Sequence, residues 1–215
     1  LIIAVDGPAG AGKGTIATFL ANFYNLRHLD TGLLYRAVAL KAIQEDIPFD
    51  KREVLSKIAG RIDLNTLNDP ALRNESTASM ASKIAVYPEI REILTAQMRT
   101  FCADVTLPYK GAVLDGRDIG TVVCPGADIK FFITATPEIR AERRLIEMQK
   151  KDQITLGQDV MGRDARDSNR SASPLTQAFD AHLIDTTNMS IEEACQAVSK
   201  IVDEYLLEEK TRKVK

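Results

Sequence analysis

Tryptophan is absent from this 215-residue chain, histidine occurs twice and cysteine three times. The cysteines, Cys102, Cys124 and Cys195, form no Cys-x-x-Cys pair. A disulfide framework and a structural zinc site are therefore not expected, and a reducing cytoplasm fits best. Cys124, ahead of Pro125, reads as inert, and His28 and His182 are too isolated to make a metal site. Neither charge sign dominates: 28 Lys and Arg face 30 Asp and Glu, for a net charge of −2. That argues against a generic nucleic-acid or membrane-surface binder, so an anionic partner must meet a local cluster of cations. No apolar run approaches the ~20 residues of a membrane span. The opening run Leu1–Val5 reads as a strand rather than a secretory leader. Repeats and low-complexity tracts are also missing. What is present is 45% apolar residues, enough for the core of one domain with small inserted subdomains.

Five short apolar runs end in Asp or Thr: Leu1–Asp6, Leu26–Asp30, Gly111–Asp115, Ile129–Thr134 and His182–Asp185. Helix-like sequence flanks each one. Continuous apolar strands alternating with helices predict a five-stranded parallel sheet covered on both faces, an α/β three-layer fold. In such sheets the chemistry sits beyond the carboxyl ends of the strands, where these polar residues gather. Ile16, Phe19, Leu20 and Phe23 mark one apolar helix face. Asp50-x-x-Glu53 and Ser190-x-x-Glu193 read as capping boxes, and Thr136-Pro137-Glu138 and Tyr87-Pro88 as helix starts. The alternation breaks twice. Residues 37–105 carry helix patterns with few strand signals, and residues 146–168 are polar with Gly157 and Gly162, as a closing lid would be. The core is then 1–36, 106–145 and 169–215.

Between the first strand and a helix lies Gly7-Pro8-Ala9-Gly10-Ala11-Gly12-Lys13-Gly14-Thr15. This is the G-x-x-x-x-G-K phosphate loop in its required context. Glycines let successive backbone N–H groups turn inward on a phosphate, the helix N-terminus adds partial positive charge, and Lys13 reaches the β- and γ-phosphates. Gly14 stands where Ser or Thr is usual, so Thr15 is the expected Mg²⁺ hydroxyl. A bound nucleoside triphosphate follows.

Three further groups of residues point to a second anionic substrate. Thr31 and Arg36 follow the second strand, where the bland alternative is a helix cap and a solvated Arg. Asp115-Gly116-Arg117-Asp118 follows the third, where the alternative is a turn with a local ion pair. Arg163, Arg166, Asp167 and Arg170 share one face if helical, where a solvated salt-bridge surface is the alternative. Taken with the phosphate loop, the arginines read as a clamp on transferring phosphoryl groups. A triphosphate and a monophosphate bring about six negative charges together, and one pair at 4 Å costs ~4 kcal/mol at an effective dielectric of 20. A simple hydrolase would need fewer cations.

These segments, VDGPAGAGKGT, LDTGLLYRAVAL, ASKIAVYPEIRE, LDGRDIGTVV, RAERR and RDARDSNR, occur in order over nearly the whole chain. They resemble the nucleoside monophosphate kinases, and most closely the bacterial cytidylate kinases. The phosphate loop is widely shared, whereas LDGRDIGTVV with RDxRDxxR is specific to that family. The resemblance implies a P-loop core with inserted NMP-binding and lid subdomains, ATP as co-substrate with Mg²⁺, and CMP or dCMP as acceptor. It implies that Arg36, Arg117 and Arg170 hold the acceptor phosphate, and that Arg163 and Asp167 bind its ribose. Ser82, Arg91 and Asp118 would read the cytosine edge, and Thr31 would line the pocket. Asp115 would orient Mg²⁺ through water, Arg166 would reach the phosphates on lid closure, and Arg140 or Arg144 would flank the adenine. Lys13, Arg117, Arg163, Arg166 and Arg170 are then the catalytic set. One departure stands out: Ile62–Glu75 is shorter than the strand-bearing insert usual in these kinases, though Arg73 keeps its spacing to Ser82. A UMP or AMP kinase of the same architecture is the nearest alternative. A GTP-binding switch would need Asn-Lys-x-Asp, and a nucleic-acid motor a basic track; neither is present. A monomer is expected, with no nucleic-acid or membrane partner.

Overall fold

The computed structural model describes residues 1–149 and 173–213. Arg163, Arg166, Asp167, Arg170 and all but the first four residues of the expected lid lie outside them. Five parallel strands, β1 (Ile2–Asp6), β2 (Arg27–Asp30), β3 (Ala112–Gly116), β4 (Ile129–Thr134) and β5 (His182–Asp185), form one sheet in the order β2-β3-β1-β4-β5. Among the described residues seven α-helices connect and cover it: α1 (Lys13–Tyr24), α2 (Thr31–Gln44), α3 (Arg52–Ala59), α4 (Glu75–Ile84), α5 (Pro88–Ala103), α6 (Pro137–Gln149) and α7 (Ile191–Lys213). The expected strands are all present within a residue or two.

Strand side chains alternate between two cores, which is why the strands read as continuous apolar runs. Ile3, Val5, Val113 and Phe131 pack with Ile16 and Leu20 of α1 and Val198 and Val202 of α7. Ala4, Leu29 and Leu114 face the other way, against Leu34 and Val38 of α2, Leu55 of α3, Ile84 of α4 and Leu94 and Met98 of α5. Residues 37–105 thus share a core with the sheet, and α2 runs unbroken across position 37. The short segment 62–75 contains two 3₁₀ turns, Leu64–Thr66 and Pro70–Arg73, rather than strands. Among the described residues no helix is long and apolar enough to cross a membrane.

Ser190 and Glu193 make the predicted capping box: the Ser190 hydroxyl accepts from Glu193 N–H at 3.1 Å, and the Glu193 carboxylate accepts from Ser190 N–H at 2.8 Å. Two local expectations fail, and so does the bland alternative for Thr31. Asp50 does not cap α3; Lys51 holds that place without a side-chain bond. Phe23 is exposed, stacked on Phe19 at 5.4 Å, because the buried face of α1 runs through Ile16, Ala17, Leu20 and Ala21. Thr31 is the first helical residue of α2 rather than its cap, and its hydroxyl is used elsewhere.

Register sets the site. Asp6 stands beside Gly116, and Asp30 beside Asp115, at the carboxyl edge of the sheet. The central strand β1 leads into the phosphate loop there, and its two sides receive chain crossings in opposite directions, the place where such sheets bind ligands.

Candidate active site

The loop 7–12 curls because Gly7, Gly10 and Gly12 take φ of 145°, 76° and 92°. At Gly7 the demand is also steric, since a Cβ would lie 1.9 Å from the Ile133 carbonyl oxygen of β4. α1 starts at Lys13, so its first N–H groups open toward the loop. Lys13 folds back and donates to the Pro8 carbonyl at 2.8 Å. Burial, and then the Arg117 guanidinium, lower the Lys13 ammonium to about 7 against the pull of Asp115, Asp30 and Asp6.

Arg140 on α6 braces the loop from below. Its guanidinium donates to the Ala135 and Ala9 carbonyls at 3.0 and 3.1 Å and is buried. Of the two residues expected to flank the adenine, Arg140 thus ties the underside of the loop to α6. Arg144, one turn on, lines a cavity of about 510 Å³ with Gly10, Gly12, Thr15, Met189 and Ile191, and bonds Glu75 of α4 at 3.3 Å. Two residues that motif reading passed over complete this wall. Thr186, after β5, donates from its hydroxyl to the Ala11 carbonyl at 3.0 Å and from its N–H to the Thr134 carbonyl at 2.8 Å, and Arg143 donates to the Thr186 hydroxyl and carbonyl.

Across the sheet edge, the Thr31 hydroxyl donates to the Asp115 carbonyl at 2.8 Å, tying α2 to β3. Asp115 is buried, and its Oδ1 meets His28 Nε2 at 2.7 Å. Burial and then the Asp115 charge raise the Asp30 carboxyl, while Arg36 and Arg73 oppose the rise. Arg36 donates to the Leu72 carbonyl at 3.1 Å, Arg73 lies 3.9 Å from Asp30, and Arg117 donates to the Gly116 carbonyl at 3.3 Å. Arg91 of α5 and Asp118 form a buried ion pair, and Arg91 also donates to the Ala85 carbonyl at 3.1 Å. Ser82 lies half-buried on α4. Tyr87, ahead of α5, is packed in the core with the Arg52 guanidinium 4.4 Å over its ring.

Asp6 organises the strand-end loop. Its two oxygens accept from the Ile119 and Gly120 N–H groups, both at 2.7 Å, which fixes the π-helical turn Ile119–Val123 behind Asp118. Desolvation raises Asp6 to about 6 despite those two bonds. Its place at the end of β1 was a usable signal, the same one that marked Asp115. His28 offered none, since its role depends on which strand lies beside it.

A glycine-built phosphate loop on the central strand of a parallel sheet, facing buried carboxylates and arginines on the adjacent strand ends, is the arrangement of P-loop kinases. The fold agrees with that of solved structures: a sugar kinase from Janibacter aligns over 94% of both chains with a TM-score of 0.51 at 13% identity. The family model for cytidylate kinase matches residues 3–204. The protein named cytidylate kinase from Mesorhizobium japonicum is 49% identical over 95% of this chain and 94% of its own length. That from Sinorhizobium medicae is 47% identical over 94% and 95%. The chain belongs to the cytidylate kinase family, and it is a kinase.

Proposed function

We propose that the protein transfers the γ-phosphoryl group of ATP to CMP or dCMP, giving ADP and CDP or dCDP. The observation that supports this most is the common sheet edge: loop 7–15 leaves β1 there, and Arg117 and the Arg91–Asp118 pair follow β3 beside it. ATP phosphates lie on the N–H groups of residues 7–15 with Lys13 against them, and the adenine side occupies the cavity that Arg144 borders. Arg36 and Arg117 hold the acceptor phosphate. Ser82, Arg91 and Asp118 read the base: cytosine presents a donor at N4 and acceptors at N3 and O2, which suits a carboxylate, a guanidinium and a hydroxyl. Uracil would set an acceptor against Asp118, a mismatch that discriminates strongly. Residues 37–105 close over the acceptor and 146–168 form the lid, with Arg163, Arg166, Asp167 and Arg170 supplying the remaining phosphate and ribose contacts.

The donor set suits a hard cation. Among the described residues no group of three His, Cys, Asp or Glu could hold a metal alone, so ATP itself must provide ligands, as it does for Mg²⁺. Thr15 would hold Mg²⁺ directly and Asp115 through water; when bound, it would offset charge on the phosphate oxygens. The protein's own part is positioning and charge stabilisation. Lys13 and the arginines draw two polyanions together in line, and closure excludes water as a competing acceptor. An ionised acceptor phosphate needs no general base. The test is ADP release with Mg·ATP and each of CMP, dCMP, UMP and AMP. Turnover with CMP and dCMP and little with UMP is expected; comparable turnover with UMP would discard the base-reading trio, and none with any of them would discard the reaction.

A further inference from the structure

Cys102 and Cys124, 22 residues apart and unlinked by any motif, meet in the fold with their sulfurs 3.3 Å apart. Cys102 is the penultimate residue of α5, and Cys124 ends the turn Ile119–Val123. Both are half-buried, so a small oxidant can reach them. The two backbones are held in register by other bonds. Arg99 of α5 donates to the Val123 and Val122 carbonyls at 2.9 and 2.8 Å, and Cys124 N–H donates to the Ile119 carbonyl at 2.7 Å. To form a disulfide the sulfurs must close from 3.3 Å to ~2.05 Å. The thiols are also unequal: the contact and the Arg99 charge lower Cys124, while the same contact raises Cys102. Arg99, bonded to the carbonyl that precedes Cys124, sets a positive charge beside that sulfur, so Cys124 is assigned as the attacking thiol and Cys102 as the resolving one.

We propose that Cys102 and Cys124 are an oxidation site at which a peroxide forms an intramolecular disulfide, stapling α5 to the 119–123 turn. The Cys124 thiolate attacks one peroxide oxygen, the O–O bond breaks, and the hydroxide leaves as water with the proton Cys124 gave up. The sulfenic acid so formed is attacked by the Cys102 sulfur; the S–S bond forms, the S–O bond breaks, and a second water leaves with the Cys102 proton. Two thiols lose two electrons and one peroxide becomes two waters. α5 carries Arg91 and the turn begins after Asp118, so the staple ties together the two segments whose ion pair faces the acceptor. This consequence rests on the base-reading role proposed above; the cross-link does not.

The full-length protein is treated with stoichiometric hydrogen peroxide, alkylated and mapped by mass spectrometry, with and without dithiothreitol. The Cys102 and Cys124 peptides should join with loss of two hydrogens and separate on reduction, while Cys195 stays alkylated. In Cys102→Ser the reaction should stop at a Cys124 sulfenic acid that a 1,3-dione traps. Alkylation of Cys102 and Cys124 as complete as that of Cys195 overturns the proposal. KM for CMP should change at least about fivefold on oxidation, the lower range of energetic coupling between sites, with KM for ATP nearly constant. An unchanged KM for CMP in cross-linked protein overturns the coupling. A reduced protein inactive on CMP overturns the acceptor reading while leaving the cross-link to the mass map.

Discussion

Replacing Asp118 by Ala removes the carboxylate that faces Arg91, while the guanidinium stays buried with only 6% of its side chain exposed. At such burial solvent cannot compensate the charge. The remaining bond to the Ala85 carbonyl satisfies one donor of the guanidinium's five. Breaking a buried pair from one side costs about 3–5 kcal/mol. Arg91→Ala removes the other half of the pair and should also destabilise the fold. The double variant removes both charges together, so it should be more stable than the two single losses imply by about 2 kcal/mol or more. For a chain of this size each kcal/mol shifts Tm by ~2–4 °C, so each single change should lower Tm by about 6–20 °C. Urea unfolding followed by far-UV circular dichroism is the suitable assay, because the chain has no tryptophan to report. Additive losses within about 0.5 kcal/mol would refute the reasoning: the two charges would then be solvated separately rather than compensating each other.

Four further outcomes are expected. Asp118→Asn trades the acceptor carboxylate for an amide, and should narrow the CMP-to-UMP preference in kcat/KM by at least about tenfold; an unchanged ratio would remove Asp118 from base reading. Asp6 has a folded-state value of about 6 against 3.8, so its protonation favours the fold: that stability is complete below pH 3.8 and lost as pH rises through 6. Relative to Asp6→Asn, the native protein should therefore lose roughly 2 kcal/mol between pH 4 and 7 in urea titrations, and parallel profiles would contradict the burial argument. Arg140→Ala removes both ties beneath the phosphate loop and should raise KM for ATP well before KM for CMP; equal changes would mean that the loop holds its shape without it. Leu94→Ala empties a fully buried site against the sheet and should cost about 2–5 kcal/mol, with substrate affinities nearly unchanged in the folded fraction; a loss below 1 kcal/mol would mean that the site collapses around the missing side chain.

Local chemistry was legible wherever neighbours in sequence are neighbours in space. The phosphate loop, the five strands and the Ser190–Glu193 box each depend on spacings of a few residues, which the sequence displays directly. The same kind of reading erred where a local pattern met a competing tertiary demand. Thr31 fits a cap, but β3 offered its hydroxyl the Asp115 carbonyl. Phe23 fits the apolar face of α1, but the buried stripe runs through Ile16, Ala17, Leu20 and Ala21 and leaves it exposed.

The sequence by itself determined that this is a parallel α/β protein with a phosphate loop, because strand length, apolar continuity and glycine spacing follow from backbone geometry alone. Its segments also sufficed to place it among the cytidylate kinases. Only the tertiary structure decided which distant residues share the site. Inserting β3 between β2 and β1 brings Asp115 against His28, and the turn after it brings Ile119 and Gly120 onto Asp6, Asp118 onto Arg91 and Cys124 onto Cys102. Separated by 22 to 114 residues, these partners leave no periodic trace in the chain. Their meeting is a consequence of strand order, and strand order is settled by how both faces of the sheet are buried at once.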